Sequence, residues 1–153
     1  MTSPDLTKTG TESVHASAVT VGNVAILIRG PSGSGKSRLA FALIMAGRAG
    51  IIPPAALVGD DRLILSVKDG QPCARGVPEL AGMIEIRGLG IRKTEHAAEG
   101  MIGLVVDMAA SDAERLPPSK ALKTTLLGLE LPRIPVADGH DPLPLVVGFL
   151  TTT

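Results

Sequence analysis

Val24-Ala25-Ile26-Leu27-Ile28-Arg29-Gly30-Pro31-Ser32-Gly33-Ser34-Gly35-Lys36-Ser37 decides the fold. Residues 24–28 are a short apolar, β-branched run, the pattern of a buried strand. Gly30, Pro31, Ser32, Gly33, Ser34, Gly35, Lys36 and Ser37 then fit G-x-x-x-x-G-K-[ST], a phosphate-binding loop. The residue types answer a physical need. Glycines let successive backbone N–H groups close around an anion. Lys36 supplies a flexible positive charge for the β- and γ-phosphates, and the Ser37 hydroxyl can hold Mg²⁺. Leu39, Leu43 and Ala46 recur at helical spacing, which predicts a helix over 36–46 with Gly47 as its stop. The positive end of that helix faces the loop. Strand, loop and helix thus come in the order that the motif requires.

Outward from this unit, composition sets the bounds. A chain of 153 residues with 44% hydrophobic residues is long and apolar enough for one domain with a real core. Basic and acidic residues number 15 each, a formal net charge of 0, which favours neither nucleic acid nor a membrane surface as partner. Two Phe and no Trp or Tyr leave no platform for stacking bases. The single cysteine, Cys73, excludes an intrachain disulfide framework and a cysteine zinc cluster. His96 and His140 carry no metal-ligand spacing. No apolar run has the length of a membrane span and no signal peptide is visible, so a cytoplasmic protein is expected.

Along the chain, residues 1–12 read as a flexible tail and 13–153 as the domain. Residues 13–20 alternate as a strand, with a turn at Val21-Gly22-Asn23 into the strand before the loop. The helix after the loop is apolar almost all round, so it is buried on more than one side. Strands are expected at 55–58 and 63–67, with Asp69-Gly70 as a hairpin turn and 71–76 returning antiparallel. Val77-Pro78-Glu79-Leu80 suits one helical turn. Residues 83–86 read as a strand, 92–100 as a charged mobile loop, 101–108 as a strong buried strand, and 122–131 and 143–150 as further strands. One helix among about nine strand candidates makes this a strand-rich α/β domain with one main helix after the phosphate loop.

Asp60 and Asp61 follow a short apolar run, where an acid serving the phosphate loop would sit. A carboxylate there can hold Mg²⁺ or take the proton of an attacking hydroxyl; taken alone, an Asp-Asp pair also suits a surface turn. Glu85 and Arg87 share one side of their strand at spacing two, which a solvated ion pair would explain equally. Taken alone, His15 suits a strand histidine and Arg115 a solvated loop.

Met83-Ile84-Glu85-Ile86-Arg87-Gly88-Leu89-Gly90-Ile91 resembles the signature of bacterial HPr kinase/phosphorylase, a family that phosphorylates a serine of the phosphocarrier protein HPr and reverses the step. Val14-His15, 21 residues before Lys36, resembles the family's Val-His pair. Asp60-Asp61 resembles its paired aspartates, and the stretch from Val106-Asp107 to Glu114-Arg115-Leu116 its segment with a further active-site arginine. The resemblance implies a P-loop kinase domain that uses ATP and Mg²⁺, acts on HPr in the phosphotransferase system and forms a homo-oligomer. It implies that 30–37 bind nucleotide and that Ser37 and Glu85 ligate Mg²⁺. Asp61 is implied as proton acceptor with Asp60 beside it, and His15, Lys36, Arg87 and Arg115 complete the site.

The departures carry expectations too. Set against the family, the chain reads as a catalytic core without the usual N-terminal domain or the C-terminal helices that grip HPr. Pro135-Val136-Ala137-Asp138-Gly139-His140 stands where the family has Pro-Val-Arg-Pro-Gly-Arg, so weak reversal is expected. Two other readings use the same loop: a small-molecule kinase, and a nucleotide-sensing regulator without transfer activity.

Overall fold

The structure, a computed structural model, describes residues 11–153. Most of the expected tail lies outside the described residues, while Thr11 and Glu12 already belong to a strand. The elements are β1 (Thr11–Val14), β2 (Ser17–Val21), β3 (Val24–Arg29), α1 (Lys36–Arg48), β4 (Ala55–Gly59), β5 (Leu63–Lys68) and β6 (Gln71–Gly76), followed by β7 (Met83–Ile86), β8 (Gly90–Lys93), β9 (Glu99–Asp107), β10 (Lys123–Leu126), β11 (Leu129–Pro135) and α2 (Leu143–Thr151). No helix among the described residues is long and apolar enough to cross a membrane.

Strand β3 is central, as its apolar run requires. Ala25, Ile26, Leu27 and Ile28 are all buried, so both of its faces are covered. Ile26 and Ile28 pack with Leu39, Leu43 and Ile44 of α1, and each such side chain contributes about 1.5–3 kcal/mol on burial. Ala25 and Leu27 face a second cluster with Leu65, Ile102 and Leu126. The main sheet runs β1-β5-β6-β9-β3-β2-β4, with β11 attached to β9 and β10 to β11. Strand β9 forks the sheet. It lies parallel to β3 along one edge. Along the other it pairs antiparallel with β6 at Met101 and parallel with β11 at Val105 to Asp107. The parallel trio β3, β9 and β11 therefore ends together, at the phosphate loop.

Several local expectations hold: the turn after Val21, the Asp69-Gly70 hairpin that opposes Lys68 to Gln71, and a short 3-10 turn over Pro78–Leu80. Others are corrected. Residues 13–20 are two strands broken at His15-Ala16, because β1 pairs with β5 while β2 pairs with β3 and β4. Helix α1 passes through Gly47 to Arg48. A Cβ at Gly47 would lie 2.8 Å from the Ala55 nitrogen, so that glycine serves the approach of β4 and is no stop. Residues 92–100 are not a loose loop: β8 pairs with β7, and the Leu57 N–H donates to the Glu95 carbonyl at 2.8 Å, laying the segment along β4. Residues 122–131 contain a hairpin turn at Leu127-Gly128, both left-handed. Residues 143–150 are helical, not a strand. Val146 of this helix is fully buried in the α1 cluster, while Leu145 and Phe149 stay about half exposed.

Candidate active site

The phosphate loop folds as its glycines allow. Gly33 and Gly35 take φ of 82° and 101°, and Gly30 takes 151°; a Cβ at Gly30 would sit 2.8 Å from the Met108 Cβ. The loop thus lies on Met108, the residue after β9, whose N–H donates to the Arg29 carbonyl at 2.8 Å. Lys36 is buried and turned back on the loop, donating to the carbonyls of Gly30 at 2.9 Å and Pro31 at 3.1 Å. Ser34 Oγ is buried with no partner among the described residues. A cationic Nζ parked on two loop carbonyls and an unpaired hydroxyl fit an anion seated in this loop.

The aspartate pair joins this loop through Asp60. Asp60 Oδ1 accepts from Ser37 Oγ at 2.6 Å and from Ser17 Oγ at 2.9 Å, and Oδ2 accepts from the Glu85 N–H at 3.0 Å. One carboxylate thereby holds the loop serine, β2 and the signature strand β7. Gly59 and Gly76 bring the flanking strands together: a Cβ at Gly76 would stand 2.2 Å from the Val58 carbonyl oxygen, so β4 and β6 converge there only without a side chain. Asp61 is exposed and left-handed at φ 63°, its N–H donating to Ser17 Oγ at 3.3 Å while its carboxylate accepts no hydrogen bond among the described residues. The Ser37 hydroxyl lies on the Asp60 carboxylate, and Glu85 meets that carboxylate through its backbone N–H; hydroxyl and carboxylate oxygens are the donors that a hard cation such as Mg²⁺ takes.

The expected residues divide. Ser37, Asp60, Asp61 and Glu85 are brought together, with Lys36 in the adjoining loop. His15, Arg87 and Arg115 are exposed and make no hydrogen bond or ion pair with that group. Arg87 is also not on the strand with Glu85. Strand β7 ends at Ile86, and Arg87-Gly88-Leu89 forms the hairpin turn into β8, closed by the Leu89 N–H donating to the Ile86 carbonyl at 2.9 Å. His15 lines a cleft of about 380 Å³ with Glu12, Arg29 and Thr125, on the face of β3 away from α1.

Two features had no place in the sequence reading. Ser17 is fully buried and bridges both aspartates; its only signal is a hydroxyl at the start of a small apolar strand. Asp107, at the end of β9, accepts from Arg29 at 2.7 and 2.9 Å and from Arg133 at 2.5 Å, and Arg133 reaches on to Asp112 at 2.7 Å. Burial pushes the Asp107 carboxyl up, but the guanidinium bonds from Arg29 and Arg133 outweigh it and leave the group below its ordinary value. The hydrogen bonds that Arg133 donates to Asp112, and then to Asp107, hold it above its ordinary value against the effect of burial. This network clamps the ends of β3, β9 and β11 directly beneath the loop.

Residues 7–147 match the family described as HPr Serine kinase C-terminal domain. The chain is 35% identical over 144 residues to the HPr kinase/phosphorylase of Geobacillus thermodenitrificans, covering 86% of this chain and 44% of that protein. It is 31% identical over 145 residues to that of Mycoplasma mycoides, with the same two shares. It therefore spans less than half the length of these relatives. Among solved structures it resembles the Hpr(Ser) kinase/phosphatase of Coxiella burnetii, with a TM-score of 0.71, 25% identity, and coverage of 91% of this chain and 87% of that one. The signature resemblance, the strand-rich α/β fold and the extent of the match agree, and the chain belongs to the HPr Serine kinase C-terminal domain family.

Proposed function

We propose that this chain is a serine protein kinase that transfers the γ-phosphoryl group of ATP to a serine hydroxyl of HPr, with Mg²⁺ held by Ser37 and Glu85. The observation that carries the reading is the Asp60 carboxylate, which ties the phosphate-loop serine to the signature strand, beside an Asp61 carboxylate that accepts no hydrogen bond among the described residues. In the forward step the serine oxygen bonds to the γ-phosphorus and the bond from that phosphorus to the β,γ-bridging oxygen breaks. The hydroxyl proton passes to Asp61, and ADP leaves. Lys36 exchanges the two loop carbonyls for the β- and γ-phosphates, a swap that keeps its charge compensated throughout. The metal would neutralise charge on those phosphates when bound. His15, Arg87 and Arg115 stand exposed, free to meet a docked protein and the transferring group. The residues suit a reaction in which positioning and charge compensation supply most of the catalysis.

The test is incubation of the purified chain with ATP, Mg²⁺ and HPr, followed by mass spectrometry of HPr. A single added phosphoryl group on a serine is expected. Nucleotide binding with no phosphoryl transfer to HPr would overturn the reading in favour of a nucleotide sensor, and transfer only to small molecules would point to a metabolite kinase.

A further inference from the structure

We propose that Ser17 is the positioning residue of the aspartate pair, its hydroxyl fixing Asp60 on the loop serine and turning Asp61 toward the incoming hydroxyl. This deepens the kinase reading above and rests on it. Among the described residues only Ser17 and Lys36 are buried polar or charged side chains. Lys36 is explained by the loop. Ser17 sits beside Ala16, Ala18 and Val19, where an apolar side chain would pack without the cost of burying a hydroxyl. It uses both halves of that hydroxyl: the hydrogen goes to Asp60 Oδ1 at 2.9 Å, and the oxygen accepts the Asp61 N–H at 3.3 Å.

The backbone is arranged to make this contact. The β2–β4 register shifts between Val19, opposite Leu57, and Ala18, opposite Gly59. That bulge brings the next residue of β2 beside Asp60, which the regular register would not do. Asp61 then adopts a left-handed conformation that side-chain-bearing residues disfavour, and among the described residues the bond to Ser17 is the one hydrogen bond its N–H makes.

The division of labour follows. Ser37 has two tasks, lending a lone pair to a metal and a proton to Asp60. Ser17 has no metal to serve, so it holds Oδ1 in place whatever Ser37 is doing. Its loss leaves Asp60 held by Ser37 and the Glu85 N–H alone, and leaves the Asp61 turn without its anchor. The consequence falls on Mg²⁺ use and on turnover, while the loop that grips the phosphates is untouched.

Ser17→Ala, Ser17→Thr and Ser17→Cys separate this role from simple packing. Two readouts apply: the Mg²⁺ dependence of the rise in unfolding temperature caused by ATP, and kcat and KM for transfer to HPr. Ser17→Ala is expected to raise the half-saturating Mg²⁺ and lower kcat, each by about tenfold, the scale typical of groups that orient a metal ligand. KM for ATP and the stabilisation by ATP without Mg²⁺ should stay unchanged. Ser17→Thr, which keeps the hydroxyl, should restore both quantities. Should its methyl group not fit the buried site, Ser17→Cys, a weaker donor of nearly the same shape, should fall between Ser and Ala. Unchanged Mg²⁺ dependence and kcat in Ser17→Ala would overturn the proposal. So would losses that track the folded fraction and appear equally in all three variants. An unsubstituted protein that shows Mg²⁺-dependent, Ser17-dependent stabilisation by ATP but leaves HPr unmodified would sink the kinase reading and leave the positioning of Asp60 standing.

Discussion

At the scale of single residues, the two adjacent aspartates have different work, and the difference lies in their donors. Asp60 has three, so both of its oxygens are occupied, whereas the Asp61 carboxylate has none among the described residues. An asparagine at position 60 cannot satisfy all three donors, because its NH₂ must face either the Glu85 N–H or the two hydroxyls. Asp60→Asn is therefore expected to raise the Mg²⁺ requirement and weaken MgATP binding, measured by nucleotide titration. Asp61→Asn should leave ATP affinity unchanged and abolish turnover if, as proposed above, the acid acts on the attacking hydroxyl. The same phenotype from both variants would show that the pair acts as one unit. Lys36→Ala should lower kcat about 10²–10³-fold, the usual loss for one electrostatic contact at a reacting phosphate; near-normal turnover would remove the loop from the mechanism. That the loop and Asp60 would lie together was legible in the order of strand, loop and acid, and the place of Glu85 beside them in the family resemblance. Ser17 was not, because its role depends on a register shift between two strands, and nothing in either strand announces it.

At the scale of elements, legibility follows how local the cause is. Asp69-Gly70 and the run into Gly30 announced their structures because turn geometry and strand burial act over a few residues. Residues 143–150 were misread because a continuous apolar run with Val146 and Val147 suits a buried strand as well as a helix. The arbiter was Pro144 in the first turn of α2, a helix-start signal, together with the groove against α1 that only the folded sheet creates. The fork at β9 was equally hidden, since it joins residues from four distant strands. Its clamp can be tested. Asp107 is held below its ordinary pKa in the folded chain, so it stabilises the fold above the unfolded value of about 3.9. That stabilisation is lost as pH falls through the lower folded value. Asp107→Asn should remove it at neutral pH, at a cost of about 3 kcal/mol because Arg29 loses its counter-charge and Arg133 keeps only Asp112. Calorimetry should show a lower unfolding temperature at pH 7 and a flatter acid limb below pH 4 than in the unsubstituted chain. Equal acid limbs would assign the acid sensitivity elsewhere.

At the scale of the whole molecule, the question is where the positive charge remains available. The chain is formally neutral, with 15 cations against 15 anions, and the structure commits several cations to structural work. Arg29 and Arg133 are bound to Asp107 and Asp112, Arg48 to Glu95, and Lys68 to Glu99. Phosphorolysis of a phosphoserine sets a harder electrostatic problem than its formation, because inorganic phosphate must approach a second anion in the same site. Fork-shaped guanidinium groups meet that demand best. In the stretch after β11, Ala137 offers a methyl group and His140 an exposed ring, with Asp138 and Asp141 exposed beside them. Arg133 is near in sequence but cannot substitute, since its side chain is 14% exposed and its guanidinium is bonded to two carboxylates and the Ala121 carbonyl. An arginine acting on a transferring phosphoryl group is worth about 10³-fold or more, so its absence should be plain in the reverse direction. Incubating serine-phosphorylated HPr with inorganic phosphate, beside a forward reaction at the same enzyme concentration, should give a reverse rate far below the forward one. Ala137→Arg should raise the reverse rate and leave the forward rate nearly unchanged, because the forward step brings only one phosphate chain to the site. Equal forward and reverse rates in the unsubstituted protein would show that Arg87 or Arg115, the exposed arginines of the signature turn and the loop after β9, already supplies the missing charge.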